Sequence, residues 1–293
     1  MQATELCGTT QLPQEIWDMV IHCHHGDPET LKSCSLVCHS WTTSASKHLF
    51  ARFSWPNSRV SGDACENTGG TFGDLARLLA EHPRVSGAIQ WLWLSSKWHV
   101  PEIRQVAHDK TIQKEEPLSA ETLVKILKLV PRLATLVLDD CEWKATLQGR
   151  SDVRHEARLE KLVLNYHWGT IQSFDNFGVL TCFGHIGQVV VQDYSSTPVP
   201  QISLARCRAR VDSLCIMMSI FGVTTLFIES LPFLVDVPAI TRLELFEWRR
   251  LLPKDTQSFL GAVTRLEKLR IPLGEEGISL PTYSNLQIGR AHV

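Results

Sequence analysis

The pattern apolar-x-x-apolar-x-apolar recurs along this chain and constrains its fold more than any other feature. It occurs at Ile89-Leu92-Leu94, Leu133-Leu136-Leu138, Leu159-Leu162-Leu164, Ile186-Val189-Val191, Val211-Leu214-Ile216, Val223-Leu226-Ile228, Ile240-Leu243-Leu245 and Leu266-Leu269-Ile271. Most starts are a step of roughly 25 residues apart, a repeat-sized period. Each match ends on two apolar residues two positions apart, as the inward face of a strand requires. Helical segments precede several matches: Phe72–His82, Ser119–Val130 and Thr256–Val263. The expected unit is therefore strand, loop and helix, stacked so that inward Leu and Ile rows form one continuous core. An ordinary α/β domain with buried strands satisfies the same pattern, because apolar strands alone do not fix topology. Two places break the period. His99–Pro117 inserts a charged loop after the first match. Val223 falls too close to both neighbours, which makes it a tight hairpin or a false match.

The pattern resembles the leucine-rich repeat. That family places Asn or Cys three residues past the last strand Leu, and here only Cys141 fits; Lys97, His167, Tyr194, Ser219, Leu231, Trp248 and Gly274 stand there in the other repeats. The resemblance implies an α/β chain whose residues 72–287 form an irregular leucine-rich-repeat-like solenoid. In that architecture the residues between core positions face out of the concave side: Trp93, Val137, Val163, Val190, Cys215, Phe227, Glu244 and Arg270. Exposed apolar runs on a protein surface mark partner sites. The candidate target-binding residues are Trp93, Val137, Val163, Val190, Phe227, Arg242 and Arg270, with Lys161 and Lys268 adding positive charge. Trp98, Trp143, Trp168 and Trp248 follow strands. They either anchor a partner or plug the strand-to-helix turns as core.

Ahead of the repeats, Leu12–Phe50 reads as a short helical module. Pro13 suits a first helical turn, and Ile16, Met19, Val20 and Cys23 follow with helical period. Asp27 is placed to cap a second helix that opens with Pro28 and Glu29. Leu31, Cys34, Val37, Cys38, Trp41 and Ala45 then share one face. So few residues bury little surface alone, so part of that apolar face must meet another element. Leu12-Pro13, Glu15-Ile16 and Val37-Cys38-His39-Ser40-Trp41 resemble the F-box, and the stretch TLKSCSLVCHSW is similar to fungal-type members. The resemblance implies docking onto the Skp adaptor, and through it a cullin, by Leu12, Pro13, Ile16, Leu31, Cys34, Val37, Cys38 and Trp41. The chain would be the substrate-recognition subunit of a Skp–cullin–F-box ubiquitin ligase, with the repeats holding an unknown protein target. The alternative is a non-catalytic binding scaffold that acts without ubiquitylation. The expected order is a flexible start (1–10), the F-box (11–55), a polar linker (56–71), the repeats (72–287), and a tail, 288–293, that reads as translated adapter sequence.

Other function classes are disfavoured. A formal net charge of −2 offers no basic footprint for nucleic acid. The nine cysteines are odd in number and scattered, which fits reduced thiols in the cytoplasm or nucleus. The apolar run Leu214–Ile228 is short and interrupted for a membrane span. His22, Cys23, His24, His25, Cys34, Cys38 and His39 crowd one region. Cys34 and Cys38 nevertheless sit one helical turn apart on the apolar face, so buried thiols are preferred to zinc ligands. There is no Gly-x-Ser-x-Gly, phosphate-binding loop or His-Glu-x-x-His. Asp139-Asp140 reads as a solvated turn rather than an acid pair. No catalysis, metal or cofactor is expected.

Overall fold

The structure, a computed structural model, describes residues 12–55, 70–95, 117–139, 141, 143–144, 155–166, 179–193, 208–218, 231, 235–246, 259–272 and 287–291. It combines helices with one large parallel sheet. Three helices come first: α1 (Gln14–Cys23), α2 (Pro28–Ser35) and α3 (His39–Leu49). Asp27 caps α2, accepting hydrogen bonds from the Glu29 and Thr30 backbone N–H groups at 3.1 Å. Pro28 fills the first helical position, where a missing N–H costs nothing. Ile21, Leu31 and Ala45 form a small core, with Cys34, Trp41 and Leu49 packed against it. The Trp17 and Trp41 rings meet with centroids 4.8 Å apart. Asp18 joins α1 to α3 by accepting from the Ser44 hydroxyl. That bond, followed by the one from Gln14, holds its carboxyl below the ordinary value.

Strand β1 (Arg52–Trp55) follows α3 closely. Then come α4 (Phe72–Glu81), α5 (Pro83–Ser86), β2 (Trp91–Ser95), β3 (Leu118–Ser119), α6 (Ala120–Leu129), β4 (Thr135–Asp139), β5 (Trp143–Lys144), β6 (Leu159–Tyr166), β7 (His185–Asp193), β8 (Arg210–Met218), β9 (Arg242–Phe246), β10 (Lys268–Pro272) and β11 (Gln287–Ala291). The nine-stranded sheet runs β1-β2-β4-β6-β7-β8-β9-β10-β11, every pair parallel, while β3 pairs with β5 separately. Each strand of the large sheet therefore pairs with the next in the chain, as stacked strand units require.

The register aligns the sequence pattern row by row. Phe53, Leu92, Leu136, Leu162, Val189, Leu214, Leu243 and Leu269 are consecutive cross-strand partners. Two residues on, Leu94, Leu138, Leu164, Val191, Ile216 and Leu245 form a second buried row. Leu75 and Leu79 of α4 and Leu123 and Leu127 of α6 join this same core. Both helices start at side-chain caps. Thr71 and Asp74 form a reciprocal capping box, and the Ser119 hydroxyl accepts from the Thr122 N–H. Cys141, just past β4, donates its thiol S–H to the carbonyl of Leu94 in β2, with the sulfur 3.2 Å from the oxygen.

One glycine is fixed by close approach. A Cβ on Gly187 would lie 2.7 Å from the Glu160 carbonyl oxygen and 3.3 Å from the Arg158 guanidinium. Its bare backbone lets Arg158 reach over β7 to Asp212 on β8, at 3.1 Å. Since backbone gives way poorly, Gly187→Ala is expected to lower stability by about 1–3 kcal/mol, read as a shift in the urea midpoint.

Residues 52–55, grouped with the helices in the sequence analysis, form the first edge strand of the sheet instead. Of the tail 288–293, residues 288–291 lie in β11 and pair in register with β10. The match at Val223–Ile228, most of the His99–Pro117 insertion and the start of the helix expected over Thr256–Val263 lie outside the described residues.

Candidate protein-binding surfaces

Helix α1 carries apolar residues on two opposite faces. Ile21 points into the helical core, and Gln14 and Asp18 face Ser44 on α3. Ile16, Met19 and Val20, three and four residues apart, occupy the other face and are exposed. Leu12 is exposed as well. Between α2 and α3, Leu36 is 85% exposed and Val37 62% exposed. Six of the seven exposed large hydrophobics among the described residues are in this module: Leu12, Ile16, Met19, Val20, Leu36 and Val37.

The structure sorts the expected docking residues into two groups. Leu12, Pro13, Ile16, Val37 and Cys38 are exposed. Leu31 is not available as assigned, and Cys34 and Trp41 are accessible only in part. Leu31 is 1% exposed at the centre of the helical core, and Cys34 and Trp41 are half-buried against it. A module this small must bury one apolar stripe of each helix to fold at all, and these three side chains supply it. Met19, Val20 and Leu36 were not among the residues assigned. Met19 and Val20 shared the period of Ile16, but Leu36 fell outside any helical face.

Histidines gather at the other end of the module. The His22 ring lies 5.3 Å from that of His25 and 5.2 Å from that of His48, centroid to centroid. No group of three or more His, Cys, Asp or Glu among the described residues is placed to hold a metal ion. Burial, reinforced by His22, His25 and Lys47, pushes His48 below its ordinary value of 6.5. The unfolded chain therefore takes up a proton near pH 6.5 that the folded module resists, and stability falls as pH drops through that value. Thermal unfolding of the chain is expected at lower temperature at pH 5.5 than at pH 7.5. His48→Gln should shrink the difference.

The second surface is the sheet face opposite α4 and α6. Trp93, Val137, Val163, Val190, Cys215, Glu244 and Arg270 are consecutive cross-strand partners from β2 to β10. The row read from the sequence is thus one physical row, Phe227 apart, which lies outside the described residues. Its centre is not the open apolar strip expected, however. Val137 is 8% exposed, and Val190 and Cys215 are 5% exposed, while Trp93 and Val163 are half-buried. Parallel sheets bury both faces, and β-branched side chains on adjacent strands cover one another. Accessible residues on this face lie toward β8–β10: Met217, Arg242 and Lys268 are exposed, and Arg270 is half-buried with its guanidinium 5.3 Å from the Phe246 ring centroid. The Trp93 indole Nε1 is buried without an acceptor among the described residues. Of the four strand-end tryptophans, Trp143 is buried in the core and the others lie outside the described residues.

The thiols follow the same division. Burial, with Glu244 adding to it, pushes the Cys215 thiol up to about 11. Cys38 is exposed at the start of α3, and the Ser40 hydroxyl, followed by the Trp41 N–H, holds its thiol below the ordinary value. Iodoacetamide at pH 8 is expected to label Cys38 rapidly and Cys141, Cys182 and Cys215 only after unfolding. Peptide mapping of the labelled chain checks this.

Asp139, half of the adjacent acid pair, is buried at the end of β4 rather than solvated as expected, and Asp140 lies outside the described residues. No helix among the described residues is long and apolar enough to cross a membrane. No family model matches the chain, and no curated protein matches it.

Proposed function

We propose that this chain recruits a protein target to a Skp–cullin–F-box ubiquitin ligase, acting in the cytoplasm or nucleus and doing no chemistry itself. The observation that carries this reading is the concentration of exposed large hydrophobics on the folded amino-terminal helices. Leu12, Ile16, Met19, Val20, Leu36 and Val37 would meet the adaptor, with Pro13 and Cys38 beside them. Behind them lies the small buried core of Ile21, Leu31 and Ala45. Large hydrophobics left exposed at this density on a small helical module are the kind of surface that a helix-binding partner covers. The sheet domain, read as an irregular leucine-rich-repeat solenoid, would hold the target and raise its effective concentration near the ubiquitin-charged enzyme.

Affinity purification of the tagged full chain followed by mass spectrometry tests the reading. Adaptor and cullin are expected together in the purified material. Adaptor without cullin would favour a scaffold that acts outside ubiquitylation, and the absence of both would remove the proposal.

A further inference from the structure

The sheet face opposite α4 and α6 changes character across its width, from a buried apolar centre to accessible charged residues toward β9 and β10. Its central row is apolar from Trp93 to Cys215, then becomes Glu244 on β9 and Arg270 on β10. The row beside it carries Lys161 on β6, then Gln188 and Ser213, then Arg242 and Lys268. Arg242 and Lys268 are direct cross-strand partners, and both are exposed. Like charges placed opposite each other destabilise a sheet. Lysines often guard sheet edges, but β9 and β10 are interior strands, with β11 beyond them. Neither residue forms an ion pair with any carboxylate of the described residues. From β6 to β10 these two rows hold the cations Lys161, Arg242, Lys268 and Arg270 against a single carboxylate, Glu244. The chain as a whole has net charge −2, so composition does not explain the excess. Beyond the Glu244–Arg270 row, on the side away from Arg242 and Lys268, exposed Met217 pairs with Phe246, which places an apolar contact beside Arg270.

The geometry points to this patch, Arg242, Lys268 and Arg270 flanked by Met217 and Phe246, as the docking site for an extended acidic segment of the protein target. The inference rests on the reading that the sheet domain holds the target. Carboxylates of the segment would relieve the repulsion between Arg242 and Lys268, and an apolar side chain about four residues further along an extended segment would cover Met217. Charge complementarity of this kind gives specificity and a salt-dependent encounter rate.

The test is fluorescence anisotropy with the full chain and a labelled peptide of alternating Glu and Leu, at low and at physiological salt. A second arm uses the same peptide with Lys in place of Glu. The acidic peptide is expected to bind, to weaken with salt, and to lose affinity by on the order of tenfold or more in Arg242→Glu/Lys268→Glu. Arg242→Gln/Lys268→Gln should give a smaller loss, and both variants should still capture the adaptor. Equal binding of acidic and basic peptides, or unchanged binding in the charge-reversed variant, would overturn the inference. So would a single-stranded oligonucleotide that binds more tightly than the peptide and is lost in the same variant. Intact peptide binding in a chain that captures no adaptor would count against the ligase reading alone.

Discussion

Replacing Leu162 with alanine is expected to lower the stability of the sheet domain by about 2–5 kcal/mol. Leu162 is fully buried at the middle of the central core row, between Leu136 on β4 and Val189 on β7. Deleting its side chain removes apolar burial and leaves a cavity that a row locked by neighbours on both sides cannot collapse to fill. The residue next to it, Val163, faces the other side of the sheet and is half-buried. Val163→Ala should cost only about 1 kcal/mol, the worth of the methyl groups removed. Urea denaturation of the two variants checks the assignment of faces. Similar losses would mean that Leu162 and Val163 do not differ in burial as the two faces of the sheet require.

The second large effect concerns binding rather than stability. Leu36→Asp with Val37→Asp should abolish capture by the Skp adaptor while leaving the unfolding midpoint nearly unchanged. Both side chains are exposed in the free chain, so a charge there desolvates nothing until a partner arrives. In the complex two carboxylates would be buried without partners, a penalty of several kcal/mol each. Leu31→Asp would also lose binding, but by unfolding the helical core; the paired stability measurement separates the two mechanisms.

Much of the fold was legible because strands have a two-residue period. The spacing of Leu92 and Leu94, repeated at Leu136 and Leu138 and again at Leu162 and Leu164, fixes which side chains point inward, and the register follows from it. Helix α2 announced itself through its cap at Asp27, whereas the caps at Thr71 and Ser119 that start α4 and α6 are seen only in the structure. Strand β1 was hidden because Phe53 and Trp55 give a single alternation directly behind a helix, too short to separate from the helical pattern. The candidate docking surface was legible only in part. Periodicity finds the apolar stripes of a helix but cannot say which faces its own core when two are present. Leu31 and Trp41 went inward, while Met19 and Val20 stayed out. The burial of Val137, Val190 and Cys215 was invisible for a related reason. Strand alternation assigns a face, whereas exposure on that face depends on neighbours from other strands.

The most direct measurement is isothermal titration of the purified full chain with purified Skp adaptor. Docking through Leu36 and Val37 predicts a one-to-one complex whose affinity falls by about a hundredfold or more in Leu36→Asp/Val37→Asp, with both proteins folded. A well-folded chain that gives no complex with the adaptor, or one that binds equally well with those two carboxylates in place, would contradict it.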